Sequence, residues 1–176
     1  MFWQDFIVGL EFTAVMGVIS HVIGELLPRS SFKYDKFPFR SFEWEKGGRV
    51  YNKIHVSHWM AKLPDASKMR IHPKMFKKEL GNELTYEHLL RYIEETCVAE
   101  VIHIMLMLSS VILPMLVDGV TGRVFMLIYA LCNLPFVIIQ RYNRPMLVRI
   151  LKRMEKREGS ETTNKEINCE SIDTVM

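Results

Sequence analysis

The chain has 176 residues, room for one domain, and is 49% hydrophobic and 24% charged with a formal net charge of +3. Apolar and charged residues are segregated along it, which excludes an ordinary water-soluble globule and points to a membrane protein with a polar elaboration. The three cysteines, Cys97, Cys132 and Cys169, have neither metal nor disulfide spacing, so they ask for no oxidising compartment, and no nucleic-acid partner is expected.

The first apolar stretch runs from Phe6 to Leu27 and is interrupted by Glu11, His21 and Glu25. A membrane span needs about 20 mostly apolar residues. Met1-Phe-Trp-Gln-Asp carries no basic region and no small-residue cleavage site follows, so a retained helix is expected. Residues 28–97 are mixed. Phe32, Tyr34, Phe37, Phe39, Phe42 and Trp44 alternate with Lys33, Lys36, Arg40, Glu43 and Glu45. That blend suits the headgroup layer, where a ring buries its body and wets its edge. Gly47-Gly48 breaks the chain, and Arg49 to Leu63 is predicted as an amphipathic helix stopped by Pro64-Asp65. The region either lies flat in the membrane interface or forms a small cytosolic subdomain packed on the membrane helices.

Residues 66–83 read as a polar loop. Thr85 is placed to cap a helix that begins near Tyr86 and runs into a second span, Val98 to Val117. The third span, 124–140, leads into Gln140-Arg-Tyr-Asn-Arg-Pro145 and a basic amphipathic stretch from Met146 to Arg157. Residues 159–176, rich in Glu, Thr, Asn and Ser, are expected to be a disordered polar tail. The fold class is therefore all-α and membrane-integral. A single membrane domain covers 1–158, with about three transmembrane helices and an interfacial or cytosolic region at 28–97. Residues 1–27 hold no Lys or Arg, 28–97 hold 14, 141–176 hold 8, and Arg123 stands alone. The positive-inside rule places the N-terminus and the Asp118–Arg123 turn outside a cell membrane and the C-terminus in the cytoplasm.

Glu100 and His103 stand at the mouth of the second span, and no further charge follows until Asp118. Ionisable groups in such a segment are costly and tend to face a protein interior, pair, and mark function. Three residues apart, they share a helix face; Glu95 lies roughly 80° around from His103 by the 3.6-residue period. A carboxylate–imidazole pair suits proton transfer. It is equally a structural hydrogen bond between helices, and Glu-x-x-His also ligates metal in di-iron bundles, where the motif occurs twice; here it occurs once.

Four segments together resemble the glycosyl-4,4'-diaponeurosporenoate acyltransferases, small bacterial membrane proteins of the staphyloxanthin pathway. They are Ser41-Phe-Glu-Trp-Glu-Lys-Gly-Gly-Arg49 with Tyr51-Asn-Lys53, Trp59-Met-Ala-Lys-Leu-Pro-Asp65, Ile93-Glu-Glu-Thr-Cys-Val-Ala-Glu-Val-Ile-His103, and Asn133-Leu-Pro-Phe-Val-Ile-Ile-Gln-Arg-Tyr-Asn-Arg-Pro145. Their order and spacing cover roughly residues 37–157. The resemblance implies transfer of a fatty acyl group to a sugar hydroxyl of a membrane glycolipid, a glucosylated carotenoid acid in the named member.

On that reading His103 is the general base, oriented by Glu100 or Glu95. Tyr129, Asn133, Gln140 and Arg144 lie close to one helical face. Asn133 or Asn143 would donate to the developing oxyanion, with interhelical bonding as the alternative. Arg141 and Arg144, beside Gln140 and Tyr142, would hold phosphates of the donor. For Arg149, Lys152, Arg153, Lys156 and Arg157, attraction to anionic headgroups is the simpler reading. Trp59, with His55 and His58, would line a sugar pocket or anchor the interface; Trp44 and Arg49 join the substrate-binding set through the first matched segment. With no Gly-x-Ser-x-Gly elbow or Cys–His signature, direct attack on an acyl-coenzyme A or acyl-carrier-protein thioester is expected, with no bound cofactor or metal. Two other classes remain open: a metal-dependent membrane oxidoreductase, and a non-enzymatic lipid-binding adaptor.

Overall fold

The computed structural model describes residues 2–62, 85–117 and 119–173. The expected Pro64-Asp65 stop, the 66–83 loop and Asp118 lie outside the described residues. Three helices are long and apolar enough to cross a membrane, Trp3–Leu26, Tyr86–Leu116 and Gly119–Arg157. The protein is an all-α integral membrane protein, without a strand among the described residues.

Helix α1 spans Phe2–Leu26. It is apolar all round, and it leaves Trp3, Ile7, Leu10, Val15, Val18 and Val22 exposed while burying Phe12. Such a helix has lipid as its solvent. It touches the rest of the bundle at few points. Gly9 lets Phe125 approach closely, the Phe12 and Tyr129 rings meet edge-on at 5.6 Å, and Ile102 packs at Gly24.

The second span belongs to a longer helix, α3, Tyr86–Ser109. Thr85 caps it as expected, its hydroxyl accepting from the His88 N–H at 3.3 Å. A 3-10 turn, Ser110–Ile112, and a short helix, α4 (Leu113–Leu116), extend the span. Helix α5 runs Gly119–Asp173. A Cβ at Gly122 would fall 2.0 Å from the Val117 carbonyl oxygen, so only glycine lets the chain return this closely. Pro135 and Pro145 sit inside α5 without ending it; each removes one N–H donor, which packing on a neighbouring helix tolerates. The backbone stays helical to Asp173, through the tail expected to be disordered.

Between the first two spans the chain does not form the single amphipathic helix predicted for Arg49–Leu63. It takes 3-10 turns at Arg29–Ser31, Glu43–Ile54 and Met60–Lys62, with one α-helical turn, α2, at Val56–Trp59. The left-handed backbone at Lys46-Gly47-Gly48 (φ 50, 64 and 88) forms the expected break before Arg49, and a second left-handed site, His55 at φ 52, interrupts the predicted helix itself. The second turns the chain so that Val56 is fully buried.

The most extensive packing joins α3 and α5, which run antiparallel. Their apolar core, Leu89, Ile93, Leu147 and Leu151 with Tyr34, Tyr86 and Tyr92 around it, lies at the basic end of the bundle. The lipid-side halves stay exposed at Ile104, Met105, Leu108, Leu127, Ile128 and Leu131.

Gly48 joins the turns to α5. Its φ is +88, and an added Cβ would stand 3.0 Å from the Tyr142 carbonyl oxygen, whereas one at Gly47 (φ +64) would meet nothing within 4 Å. Left-handed backbone costs an L-residue about 1–2 kcal/mol. Gly47→Ala is expected to lose about that much, and Gly48→Ala about 1–3 kcal/mol more from overpacking. Thermal unfolding of the detergent-solubilised variants checks the order; equal melting temperatures would refute the close approach.

Candidate active site

Arg141 and Arg144 are three residues apart on α5 and so project from one face. Thr96 and Glu100, four apart on α3, project opposite them. All four are buried or nearly so. Arg141 Nε donates to Glu100 Oε1 at 2.8 Å, and Arg144 Nη2 donates to Glu100 Oε2 at 2.5 Å. Arg144 also donates to Thr96 Oγ1 at 3.0 Å, the Thr96 carbonyl at 3.0 Å and the Phe39 carbonyl at 2.8 Å.

The third side of this cluster comes from the 3-10 turn. Glu45, 1% exposed, accepts from Arg141 Nη1 through both oxygens at 3.1 and 3.2 Å. It also accepts from the Tyr51 hydroxyl at 2.6 Å and from the Phe42 N–H at 2.7 Å. Arg141 Nη2 donates to the Pro38 carbonyl at 2.7 Å. The Phe42 ring lies under the Arg141 guanidinium at 4.6 Å, and the Phe39 ring near that of Arg144 at 5.5 Å. Two carboxylates balance two guanidiniums, and no buried side-chain polar atom among the described residues lacks a partner. Burial and the bond to Glu45 push the Tyr51 hydroxyl above its ordinary pKa, so it remains a donor.

His103 sits one turn further along α3, away from this cluster. Its Nδ1 lies 2.9 Å from Asn133 Oδ1, and its ring stacks on Phe136 at 4.6 Å with a 9° tilt. Asn133 Nδ2 donates to the Tyr129 carbonyl at 2.9 Å, which turns Oδ1 toward the imidazole. An acceptor there selects the tautomer protonated on Nδ1 and leaves the lone pair on Nε2. That nitrogen has the form a general base needs.

The expected site residues therefore separate. Glu100 does not face His103; both its oxygens are taken by arginines. Glu95 pairs instead with Arg29 at 2.9 Å near the surface. Asn133, Gln140 and Arg144 do share one buried face of α5, and Tyr129 is half-buried beside Phe12. Asn143 and Tyr142 are half-buried next to the cluster. Trp59 donates from Nε1 to the Ile54 carbonyl at 2.9 Å, and Trp44 is exposed, stacked at 6.4 Å on Phe42. Sequence reasoning gave no role to Glu45, Tyr51 or Thr96. Glu45 was visible within the first matched segment, but its neighbour Glu43 has the same composition and is exposed; only the turn distinguishes them.

The α3 and α5 polar faces meet, and their own side chains fill the contact. A cavity of about 530 Å³ opens on the other side of Arg141 and Arg144, between α5 and residues 34–49. Among the described residues, no three His, Cys, Asp or Glu converge as a metal-ligand set.

A family model described as glycosyl-4,4'-diaponeurosporenoate acyltransferase matches residues 33–153, a range that contains the ion cluster, His103, Asn133 and the cavity. Relatives with that name include proteins of Staphylococcus aureus strain MRSA252, 31% identical over 140 residues, and strain Newman, 31% identical over 142. The alignments cover 77% and 78% of this chain and 81% of each relative. The strain USA300 protein is 29% identical over 140 residues, 77% of this chain and 81% of its own. No solved structure matches.

Breaking a buried ion pair strands a charge and costs about 3–5 kcal/mol, whereas a surface pair contributes about 0–1 kcal/mol. Glu100→Ala is accordingly expected to abolish or severely lower the yield of folded protein, and Glu95→Ala to change stability little. Size-exclusion profiles and thermal unfolding of both variants check this; a stable Glu100→Ala protein would show that the cluster is not the clamp described.

Proposed function

The chain belongs to the glycosyl-4,4'-diaponeurosporenoate acyltransferase family and is an acyltransferase; we propose that it moves a fatty acyl group from a thioester to a sugar hydroxyl of a membrane glycolipid, with His103 as general base. The observation that carries this reading is the Asn133–His103 contact; the Asn133 amide, oriented by its bond to the Tyr129 carbonyl, offers an acceptor that favours the ring protonated on Nδ1. In this scheme Nε2 takes the proton of the sugar hydroxyl, whose oxygen attacks the thioester carbonyl. The carbon–oxygen bond forms, the carbon–sulfur bond breaks, and the imidazolium returns the proton to the departing thiolate. Asn133 is the positioning residue, in place of Glu100 or Glu95. Asn143, ten residues and about 15 Å along α5 from Asn133, is too far from His103 to donate to the oxyanion formed there.

Depth supports the assignment. His103 lies five residues past Val98, about 7.5 Å at 1.5 Å per residue, so it stands just inside the apolar segment. Lipid-facing Ile104, Met105 and Leu108 border the space an acyl chain would enter. The basic residues flanking the spans support a topology with this end of the bundle at the cytosolic leaflet of a cell membrane and the N-terminus outside. A glycosylated carotenoid, the acceptor named for the staphylococcal relatives, is the proposed acceptor class. Membership of the acyltransferase family displaces the oxidoreductase and adaptor readings.

In proteoliposomes supplied with acyl thioester and glycolipid, His103→Ala is expected to lower kcat by about 10²–10⁴-fold while the protein stays folded. Asn133→Leu should lower kcat with little effect on KM, and Asn133→Asp, which keeps an acceptor for Nδ1–H, should retain more activity. Turnover within a few-fold of the unaltered protein in folded His103→Ala would refute the base assignment.

A further inference from the structure

The cavity beside Arg141 and Arg144 has an unbalanced charge. Glu45 and Glu100 neutralise those two arginines. The remaining charged residues on its walls are Arg40, Lys46, Arg49, Arg149 and Lys152, facing one carboxylate, Asp35. The excess is four positive charges. None of the five cations forms an ion pair among the described residues; Arg149 bonds only to the Pro145 carbonyl, at 3.2 Å. Like charges gathered in a concavity repel one another and focus a field that draws in a polyanion.

We propose that this cavity binds the phosphorylated nucleotide end of an acyl-coenzyme A donor. The inference rests on the acyl-transfer reading only in taking the donor to be a thioester. Coenzyme A carries a pyrophosphate and a ribose 3'-phosphate, a compact cluster of negative charge that matches the excess. The volume, about 530 Å³, falls within the range of about 300–1,000 Å³ for small-molecule pockets. Cations on both α5 and the 3-10 turn can converge on such a head, whereas a flat bilayer surface meets one face at a time. Gly47 lines the cavity at φ +64 with open space where its Cβ would be, so backbone can approach a phosphate there.

Register on α5 connects the cavity to the base. Gly48, between the cavity cations Lys46 and Arg49, packs on the Tyr142 carbonyl, nine residues and about 13.5 Å along α5 from Asn133. The pantetheine arm of coenzyme A is longer than that. A nucleotide held among the cations would thus deliver its thioester toward His103 while the acyl chain runs on into lipid. Arg141 and Arg144, expected to grip phosphate, instead build the wall. The gripping residues are Arg40, Lys46, Arg49, Arg149 and Lys152, of which Arg149 and Lys152 had been read as headgroup contacts.

All five side chains are exposed, so they can be changed without disturbing the core. The test is titration of detergent-solubilised protein with coenzyme A, 3'-dephospho-coenzyme A and pantetheine, without acceptor. Coenzyme A should bind saturably, dephospho-coenzyme A about tenfold more weakly, and pantetheine more weakly still. The double variant Arg49→Gln/Lys152→Gln should bind coenzyme A at least tenfold more weakly with an unchanged melting temperature. Phosphatidylglycerol vesicles should displace coenzyme A poorly. No binding by the unaltered protein, equal binding by the double variant, or full displacement by those vesicles would overturn the proposal, the last assigning the cations to lipid headgroups. Acyl transfer from another thioester by a protein that does not bind coenzyme A would overturn this inference and leave the His103 chemistry standing.

Discussion

The structure depends on burying two arginines beside two glutamates where the bundle leaves the membrane. Arg141 and Arg144 tie α5 to α3 through Glu100 and Thr96, to the 3-10 turn through Glu45, and to the segment before it through the carbonyls of Pro38 and Phe39. Apolar packing alone selects poorly among registers of two lipid-exposed helices, because lipid tails solvate Leu and Ile as well as another helix does. A guanidinium fork has no such tolerance. Shifting α5 by one turn would leave two cations and two carboxylates unpartnered in a low dielectric, where each uncompensated charge costs several kcal/mol. The cluster therefore specifies register more than it adds net stability.

That role explains why the most conspicuous membrane carboxylate does not pair with the imidazole on its own helix. The cost of an ionisable group in an apolar segment signals that it has a partner; it does not say which. Glu100 and His103 share a side of α3, yet the residues opposite them on α5 differ. Arg141 and Arg144 meet Glu100, and Asn133 with Phe136 meets His103. The clamp takes the charge and the imidazole is left with a neutral partner. For a base this is the more useful environment, since a neutral amide orients the ring without adding charge to it.

The helices were legible because their signals are local. Apolar runs, the Thr85 cap and the basic flanks are read from neighbouring residues, and they place three spans and the grouped basic ends. The partners of each polar residue were not legible, because pairing crosses from one element to another. Glu45 and Glu43 look alike in sequence; two residues apart in the 3-10 turn, they point to different sides, which buries the first and exposes the second. His55, a non-glycine residue with positive φ, divides what periodicity reads as one amphipathic helix. Arg144 and Arg149 both line the cavity, but Arg144 is buried against Glu100 while Arg149 is exposed.

Helix α5 carries the components of the proposed site in a fixed order. Asn133 positions the imidazole, Arg141 and Arg144 close the clamp, and Arg149 and Lys152 face the cavity. From Asn133 to Lys152 is 19 residues, about 28 Å at 1.5 Å per residue, roughly the thickness of a bilayer's hydrocarbon core. Because the helix continues through Pro135 and Pro145, these components cannot move independently. The clamp fixes α5 against α3 between its two ends, and so fixes Asn133 against His103 on one side and the cavity cations against the 3-10 turn on the other. A rigid rod anchored near its middle holds both ends of a long donor at a set separation. In the proposed scheme the buried ion cluster therefore acts by positioning both ends of the site.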